Sequence, residues 1–476
     1  MPSIPYKSPL LLMAALLVFA LCTTGCRKDM HFQDLQHSLR FSADTLFLDT
    51  IAARTNSETF VLKAFNDRDE DVNIPSIRLG QGAESKYRLN VDGRAGFEFY
   101  DTPLRARDSL TIFLSVVATE NPQEPLYEDF IEFSGAAQQK VMLYTMLQPA
   151  EYFVAPNDAD FLELTGNTVW DAGTVKVIFG KLRVPQGQQL QIDAGTRVYM
   201  HRHASIEVAE DATLQINGTL QNPVNIRGLR HATRYDSLPK QWRHIELLPN
   251  ASAHIQYADI KGGETALIMR PGSSAEIHNV RIFNFAHSGI HAFNAAIQAS
   301  NVMISHAGDA CLNIEGGGTY DFNHSTFANV WPVSLVGING PAIPAYLADY
   351  YTENGNTVEN VFTNTRFTNS IFYGRYSNGV YLDLHQPAGS AIHFDNCLIK
   401  NTDTQLLDIA QSALFQNCIT GNPFFEAATL AENNLRLLED SPARNAGSQL
   451  FAQNAAYDFF GTPRTATPDM GAIENQ

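Results

Sequence analysis

Residues 279–291, NVRIFNFAHSGIH, are followed 22 residues later by residues 301–313, NVMISHAGDACLN. The apolar positions coincide while the polar ones drift. Extending the frame back to YADIKGGETALIM (257) and forward to HSTFANVWPVSLV (324) sets Ile260, Ile282, Ile304 and Phe327 in one inward column. It sets Ile268, Ile290, Leu312 and Leu335 in another. The register recurs at NTRFTN (364) and NCLIKN (396) after longer intervals. Such a repeat reads as one turn of a coil, with turns stacked at the ~4.8 Å spacing of a parallel sheet.

The stretch before it carries the same metre in smaller units. Apolar pairs recur at Leu182/Val184, Leu190/Ile192, Val198/Met200, Ile206/Val208, Leu214/Ile216 and Val224/Ile226, in steps of 8, 8, 8, 8 and 10. In an extended chain, residues two apart face the same way, so each pair is a minimal strand with one buried face. Gly187, Gly195, Ala204, Ala212 and Gly218 fall between the pairs, where tight corners need small residues. Three steps make roughly one repeat of the opening motif, hence three strands per turn. Turn-upon-turn burial at roughly 25 cal/mol per Å² fixes the interior and leaves the exterior free to vary.

Upstream the pattern differs. TLFLDTI, ETFVLKAFN, VNIPSIRL, YRLNVDG, SLTIFLSVVA, DFIEFSG and KVMLYTML alternate and are broken by polar turns, the mark of an antiparallel β-sandwich within residues 26–150. Before them, MPSIPYKSPLLLMAALLVFALCTTGC has one positive charge, Lys7, and an apolar run from Leu10 to Leu21 that ends in small residues. That is the form of an export signal over residues 1–25. The net charge of −17, from 33 Lys+Arg and 50 Asp+Glu, argues against nucleic acid or an anionic membrane surface as partner. Beyond the leader, Cys311, Cys397 and Cys418 form neither a disulfide framework nor a metal-ligand spacing.

Several of these stretches resemble known families. TTGC resembles the lipobox of bacterial lipoproteins, which implies a diacylated Cys26 and a lipid anchor; Thr23 departs from the usual aliphatic residue and leaves ordinary signal-peptidase cleavage open. The sandwich resembles immunoglobulin-like accessory domains of bacterial surface proteins. QLQIDAGTRVYMHRHASIEVAEDATLQINGTLQNPVNIRG, DSLPKQW and the C-terminal SPARNAG with YDFFGTPRTATPDMGAIE resemble the right-handed parallel β-helix lipoproteins of Bacteroidota, whose architecture is that of pectate lyases. The resemblance implies an all-β chain: an Ig-like sandwich, a right-handed parallel β-helix over 151–420, and a closing segment over 421–476. It implies the cell envelope as location and leaves the membrane face open. The family mixes lyases, hydrolases and adhesins, so it implies no single activity.

Candidate chemistry falls in three places. His287 and Asp309 occupy equivalent corners of adjacent turns, where a carboxylate can orient an imidazole as general base, or the two can form a plain surface ion pair. Asp259 and Arg281 are read as a cross-rung salt bridge. Longer intervals carry PAIPAYLADYYTENGN and YGRYSNGVYLDLHQP, which bring Tyr346, Tyr350, Tyr351, Tyr373, Tyr376 and Tyr381 together with Asp349, Glu353, Asp383 and His385. Aromatic faces stack on sugar C–H surfaces while acids take hydroxyls, so this set is either a glycan platform or a pad packed on the coil.

A column of Gly262, Asn284, His306, Asn329, Asn369 and Asn401 reads as corner structure, and Cys397 with Cys418 as stacked core residues or, alternatively, a disulfide. A lyase would need clustered acids holding Ca²⁺ beside a base; Asp309, Glu315 and Asp321 fall in different registers on this alignment. The leading expectation is therefore cofactor-free, non-catalytic binding of a polysaccharide or other surface ligand. The alternative is a polysaccharide lyase or glycoside hydrolase.

Overall fold

The computed structural model describes residues 32–118, 121–122, 124–231, 233–331, 340–375, 378–403 and 407–475. Cys26, Leu335 and Tyr376 lie outside the described residues. The described chain is almost wholly β, with one short α-helix, Gln449–Ala452. No helix among the described residues is long and apolar enough to cross a membrane. It divides into two compact units, the first drawn from Met1–Leu48, Thr59–Val116 and Glu128–Tyr144, the second from Asp49–Glu58, Val117–Tyr127 and Thr145–Gln476.

The first unit is built from two sheets. In one, Phe60–Phe65 and Tyr87–Val91 flank Ser109–Val116, all antiparallel. In the other, Val72–Leu79 pairs antiparallel with Glu98–Leu104 and Leu126–Phe133. Alternation does what the sequence required: Ile112, Leu114 and Val116 are buried while Phe113 between them is exposed. Phe41 of one sheet meets Phe133 of the other with ring centroids 4.6 Å apart.

The second unit is a parallel coil. Its 24-stranded sheet pairs each early strand with the one three further along the chain. Leu182 lies beside Ile206, Leu190 beside Leu214 and Val198 beside Ile226. The apolar pairs of the sequence are therefore strands, three to a turn. Ile260, Ile282, Ile304 and Phe327 follow one another in register, and each is at most 2% exposed.

Two sequence alignments shift, the first by one residue and the second by a strand. Leu267, not Ile268, stands in line with Ile290 and Leu312, and Ile268 faces outward beside His291. Phe327 is followed by Phe372, whereas Phe367 stacks on Phe322 in the neighbouring column. Frames matched on one apolar residue cannot tell two parallel inward columns apart. The columns are aromatic ladders here: Phe322–Phe367, Phe367–Phe394 and Phe394–Phe415 have ring centroids 5.5, 4.8 and 4.9 Å apart. Near-parallel rings thus repeat at about the rung spacing of a sheet.

Corners follow from backbone chemistry. Asn279, Asn301, His324, Asn369, Asn396 and Asn417 all have positive φ, between 46° and 56°, and mark one corner rung after rung. Asparagine tolerates the left-handed region better than other side chains with a β-carbon. Asn369 therefore leaves the column assigned to it from the sequence, where Gly374 stands beside Asn329 instead.

The tail from about residue 421 runs along the coil. Leu435, Phe459, Ala472 and Ile473 pack on the outward Met303 and Ala328, while Leu437 and Met470 pack on Ile371 and Leu398. Corner amides dock it: Asn369 Nδ2 donates to the Ser448 carbonyl at 2.8 Å, and Asn301 Nδ2 to that of Tyr457 at 2.8 Å. Arg464 and Glu474 form an ion pair at 3.1 Å with side chains 0% and 3% exposed.

Candidate functional site

The coil has three outward faces. The tail covers the first, formed around strands Thr326–Asn329 and Ile371–Gly374. The second and third carry the polar side chains that could meet a ligand.

On the second face, Ile268, His291, Asn313, Tyr346 and Tyr381 form an outward column in register. The longer intervals prove to be partly coil: Ile343–Ala348 and Val380–Asp383 are rung strands, and among the described residues Tyr350–Glu353 with Asn356–Glu359 is an added hairpin. Its Asn354–Gly355 turn has positive φ at both residues, as a tight hairpin requires. Tyr346 and Tyr350 both donate their hydroxyls to Asp383 Oδ2, at 2.9 and 2.7 Å. The His385 ring lies flat on Tyr350, centroids 3.9 Å apart, and its Nδ1 meets Glu359 at 2.9 Å. Burial first, then the Asp383 carboxylate, push the Tyr346 phenol up. Beside them His291 Nε2 meets Glu315 at 2.9 Å.

Two sequence candidates have other work. Tyr351 turns inward, 8% exposed, edge-on to Phe293 and over Gly316, where a β-carbon would collide with its ring. Asp349 is buried and accepts the backbone N–H groups of His385 and Gln386 at 2.8 and 2.6 Å. It thereby sets the turn after Val380–Asp383.

On the third face a polar ladder runs His254, Glu276, Gln298, Asp321, Arg366 and His393 on successive rungs. Two grooves of about 400 Å³ each share Gln298 and Asp321. One extends to Arg366 and is walled by Phe451 and Asn454 of the tail; the other reaches Glu276 and His254. His254 Nδ1 meets Glu276 at 3.1 Å, and His278 Nδ1 meets Ser300 at 2.8 Å. Burial pushes the Asp321 carboxyl up, opposed by Arg366, and burial pushes the His278 imidazole down.

The sequence frame missed this ladder. Its spacing of 22 from Glu276 to Gln298 becomes 23 to Asp321. A register shift between Phe293 and Ala295, opposite the left-handed Gly316–Gly318 run, absorbs the extra residue. Glu276 and Asp321 are thus acids at equivalent positions two rungs apart. His254, Glu276 and Gln298 at strict 22-residue spacing were the legible signal.

His287 and Asp309 do meet at a corner, Nδ1 to Oδ2 at 2.9 Å, with side chains 54% and 44% exposed. The bond to Asp309 holds the His287 imidazole above its ordinary value. Neither groove includes them. Asp259 and Arg281 form a two-pronged bridge at 2.6 and 2.7 Å. Among the described residues, no three His, Cys, Asp or Glu side chains are grouped so as to hold a metal ion.

No family model and no curated protein matches the chain. Among solved structures, a family 123 glycoside hydrolase from Clostridium perfringens, studied for glycolipid glycan hydrolysis, is 8% identical, covering 27% of this chain and 25% of that one with a TM-score of 0.19. The catalytic domain of a GH87 α-1,3-glucanase in complex with nigerose is 10% identical, covering 73% of this chain and 82% of that one, also with a TM-score of 0.19. The first match thus spans a quarter of its counterpart's length. Likenesses this slight carry no argument about chemistry, which rests on the geometry above.

Proposed function

We propose that this is an exported, lipid-anchored envelope protein, with an Ig-like sandwich before a right-handed β-helix, that binds a glycan on the second face of its coil without cleaving it. The observation that carries the reading is the pair Tyr346 and Tyr381 in register on neighbouring strands, with Tyr346 and Tyr350 both tied to Asp383. Aromatic rings held by a carboxylate keep their orientation, so a sugar's C–H face meets a preformed surface. His385, Glu359, His291 and Glu315 rim it with groups for hydroxyls. No cofactor is needed. The test is binding of the full chain to a panel of neutral polysaccharides, with reducing and unsaturated ends followed in parallel. Binding without release is expected, and Tyr346→Ala with Tyr381→Ala weakens it at least about tenfold, since an aromatic contact contributes about 1 kcal/mol beyond its buried area. Unchanged binding in the double variant overturns the assignment to this face.

A second reading is favoured by the third face. Glu276 and Asp321 stand two rungs apart, about 10 Å along a sheet at its usual spacing. That is near the separation at which one carboxyl protonates a glycosidic oxygen while the other activates water on the opposite side of the sugar. Asp321, raised by burial, suits the acid. Glu276 would be the base. Release of reducing ends that Asp321→Asn abolishes, with folding intact, establishes this reading in place of the first.

A further inference from the structure

We infer that Cys397 and Cys418 are a disulfide site that staples the last rung of the coil to the rung before it. The inference rests on the geometry of the pair and not on the glycan reading.

The two cysteines are bracketed by paired residues. Asp395 lies opposite Gln416 on one side, and Leu398 opposite Ile419 on the other. Asn396 and Asn417 hold the same left-handed turn, with φ of 52° and 51°. The thiol environments repeat as well. Cys397 Sγ meets the carbonyls of Phe367 and Asp395, both at 3.4 Å. Cys418 Sγ meets those of Phe394 and Gln416, again both at 3.4 Å. Since Phe394 pairs with Phe367 and Gln416 with Asp395, one cysteine is the other translated by a rung. In-register neighbours of a parallel sheet are about 4.8 Å apart, inside the range of about 4.4–6.8 Å that a disulfide spans between α-carbons. The two thiols are near enough for each to act on the other's proton affinity.

The position gives the bond a purpose. Among the described residues, the last rung is held to the coil only by the two-residue strand Phe415–Gln416 and one isolated bridge. An open sheet end is where a coil frays or pairs with another chain. A bond from residue 397 to 418 closes a loop of 21 residues and removes freedom from the unfolded chain. The short edge rung can also make the small approach that bonding requires.

Access sets the order of events. Cys397 is fully buried, whereas Cys418 is partly exposed, and the Cys397 thiol holds that of Cys418 below its ordinary value. Cys418 thiolate attacks one sulfur of a disulfide oxidant, either an oxidoreductase or oxidised glutathione. That S–S bond breaks and the other sulfur leaves as a thiolate, which takes the Cys397 proton. Cys397 then attacks the Cys418 sulfur and expels the second oxidant sulfur as a thiolate, which takes from solvent the proton that Cys418 gave up on ionising. Two protein thiols are oxidised as one oxidant disulfide is reduced to two thiols.

The test treats the purified, folded full chain with oxidised glutathione, alkylates it in denaturant, and maps peptides before and after reduction. The expected result is a Cys397–Cys418 linked peptide with Cys311 alkylated, and a melting temperature that falls on adding reductant. Cys418→Ser should retain the fold and lose the reductant sensitivity. Cys397 and Cys418 both recovered as alkylated thiols, or an oxidised chain that melts no higher than the reduced one, overturns the proposal.

Discussion

The second and third faces of the coil share one interior and differ in how they satisfy their outward polar groups. On the second, hydroxyls, an imidazole and carboxylates are paired with one another: Asp383 holds two tyrosines, and Glu359 holds His385. On the third, His254 meets Glu276 and His278 meets Ser300, while burial lifts the Asp321 carboxyl against the opposing charge of Arg366 on the neighbouring rung. A surface whose groups are mutually satisfied is rigid and suited to binding. One whose burial favours the protonated form of a carboxyl is suited to proton transfer. On the two proposed readings, the same stacked backbone would present a platform on one side and an acid–base groove on another.

The largest expected effect tests what the faces have in common. Phe367 stacks on both Phe322 and Phe394, so Phe367→Ala should cost about 3–5 kcal/mol in denaturant unfolding and weaken both faces together. A loss confined to one face would break the premise of a shared interior. Acid sharpens the same point. Burial pushes the His306 imidazole down to about 4, so the folded state binds fewer protons than the unfolded one, where the value is about 6.5. Stability should fall by up to about 3 kcal/mol as pH drops from about 6.5 towards 4. His306→Asn, which matches Asn284 and Asn329 of that column, should flatten this limb in a pH series of melts.

A smaller change separates the faces. Asp383→Asn removes the charged acceptor of two phenols, and hydrogen bonds to charged groups contribute about 1.5–3 kcal/mol each in stability. Glycan affinity should drop several-fold while any third-face activity is unchanged. If both fall together, the platform and the groove are one site. The smallest effect belongs to the exposed corner. Asp309 raises His287, so their pair is fully stabilising below the unfolded value near 6.5 and its contribution vanishes as pH rises through the folded value. With both side chains about half exposed, screening keeps this below about 1 kcal/mol. His287→Gln should differ from the parent only on the acid side, and a loss of activity in this variant would move the catalytic assignment to the corner.

Legibility followed the physics of each feature. The columns from Leu182 to Ile304 could be read because an aliphatic pair every eight residues has one economical solution, a coil with those side chains inside. Tyr346, Tyr350, Tyr381, Asp383 and His385 could be selected by composition, but not their arrangement. Tyr351 differs from Tyr350 by a single position, and a strand sends neighbours to opposite sides, so one faces Asp383 and the other is buried against Phe293. The third-face ladder was lost where the glycine run at 316–318 and the register shift near Phe293 broke the metre.

The sequence by itself determined that the chain coils and where most of its interior lies, because burial selects apolar side chains at fixed spacing. The 22-residue spacing also paired Asp259 with Arg281 and His287 with Asp309, but only the tertiary structure decided which outward residues become neighbours where that spacing breaks. Side chains on adjacent rungs lie one sheet spacing apart whatever their distance along the chain, and a one-residue change in the length of a turn reassigns every partner beyond it.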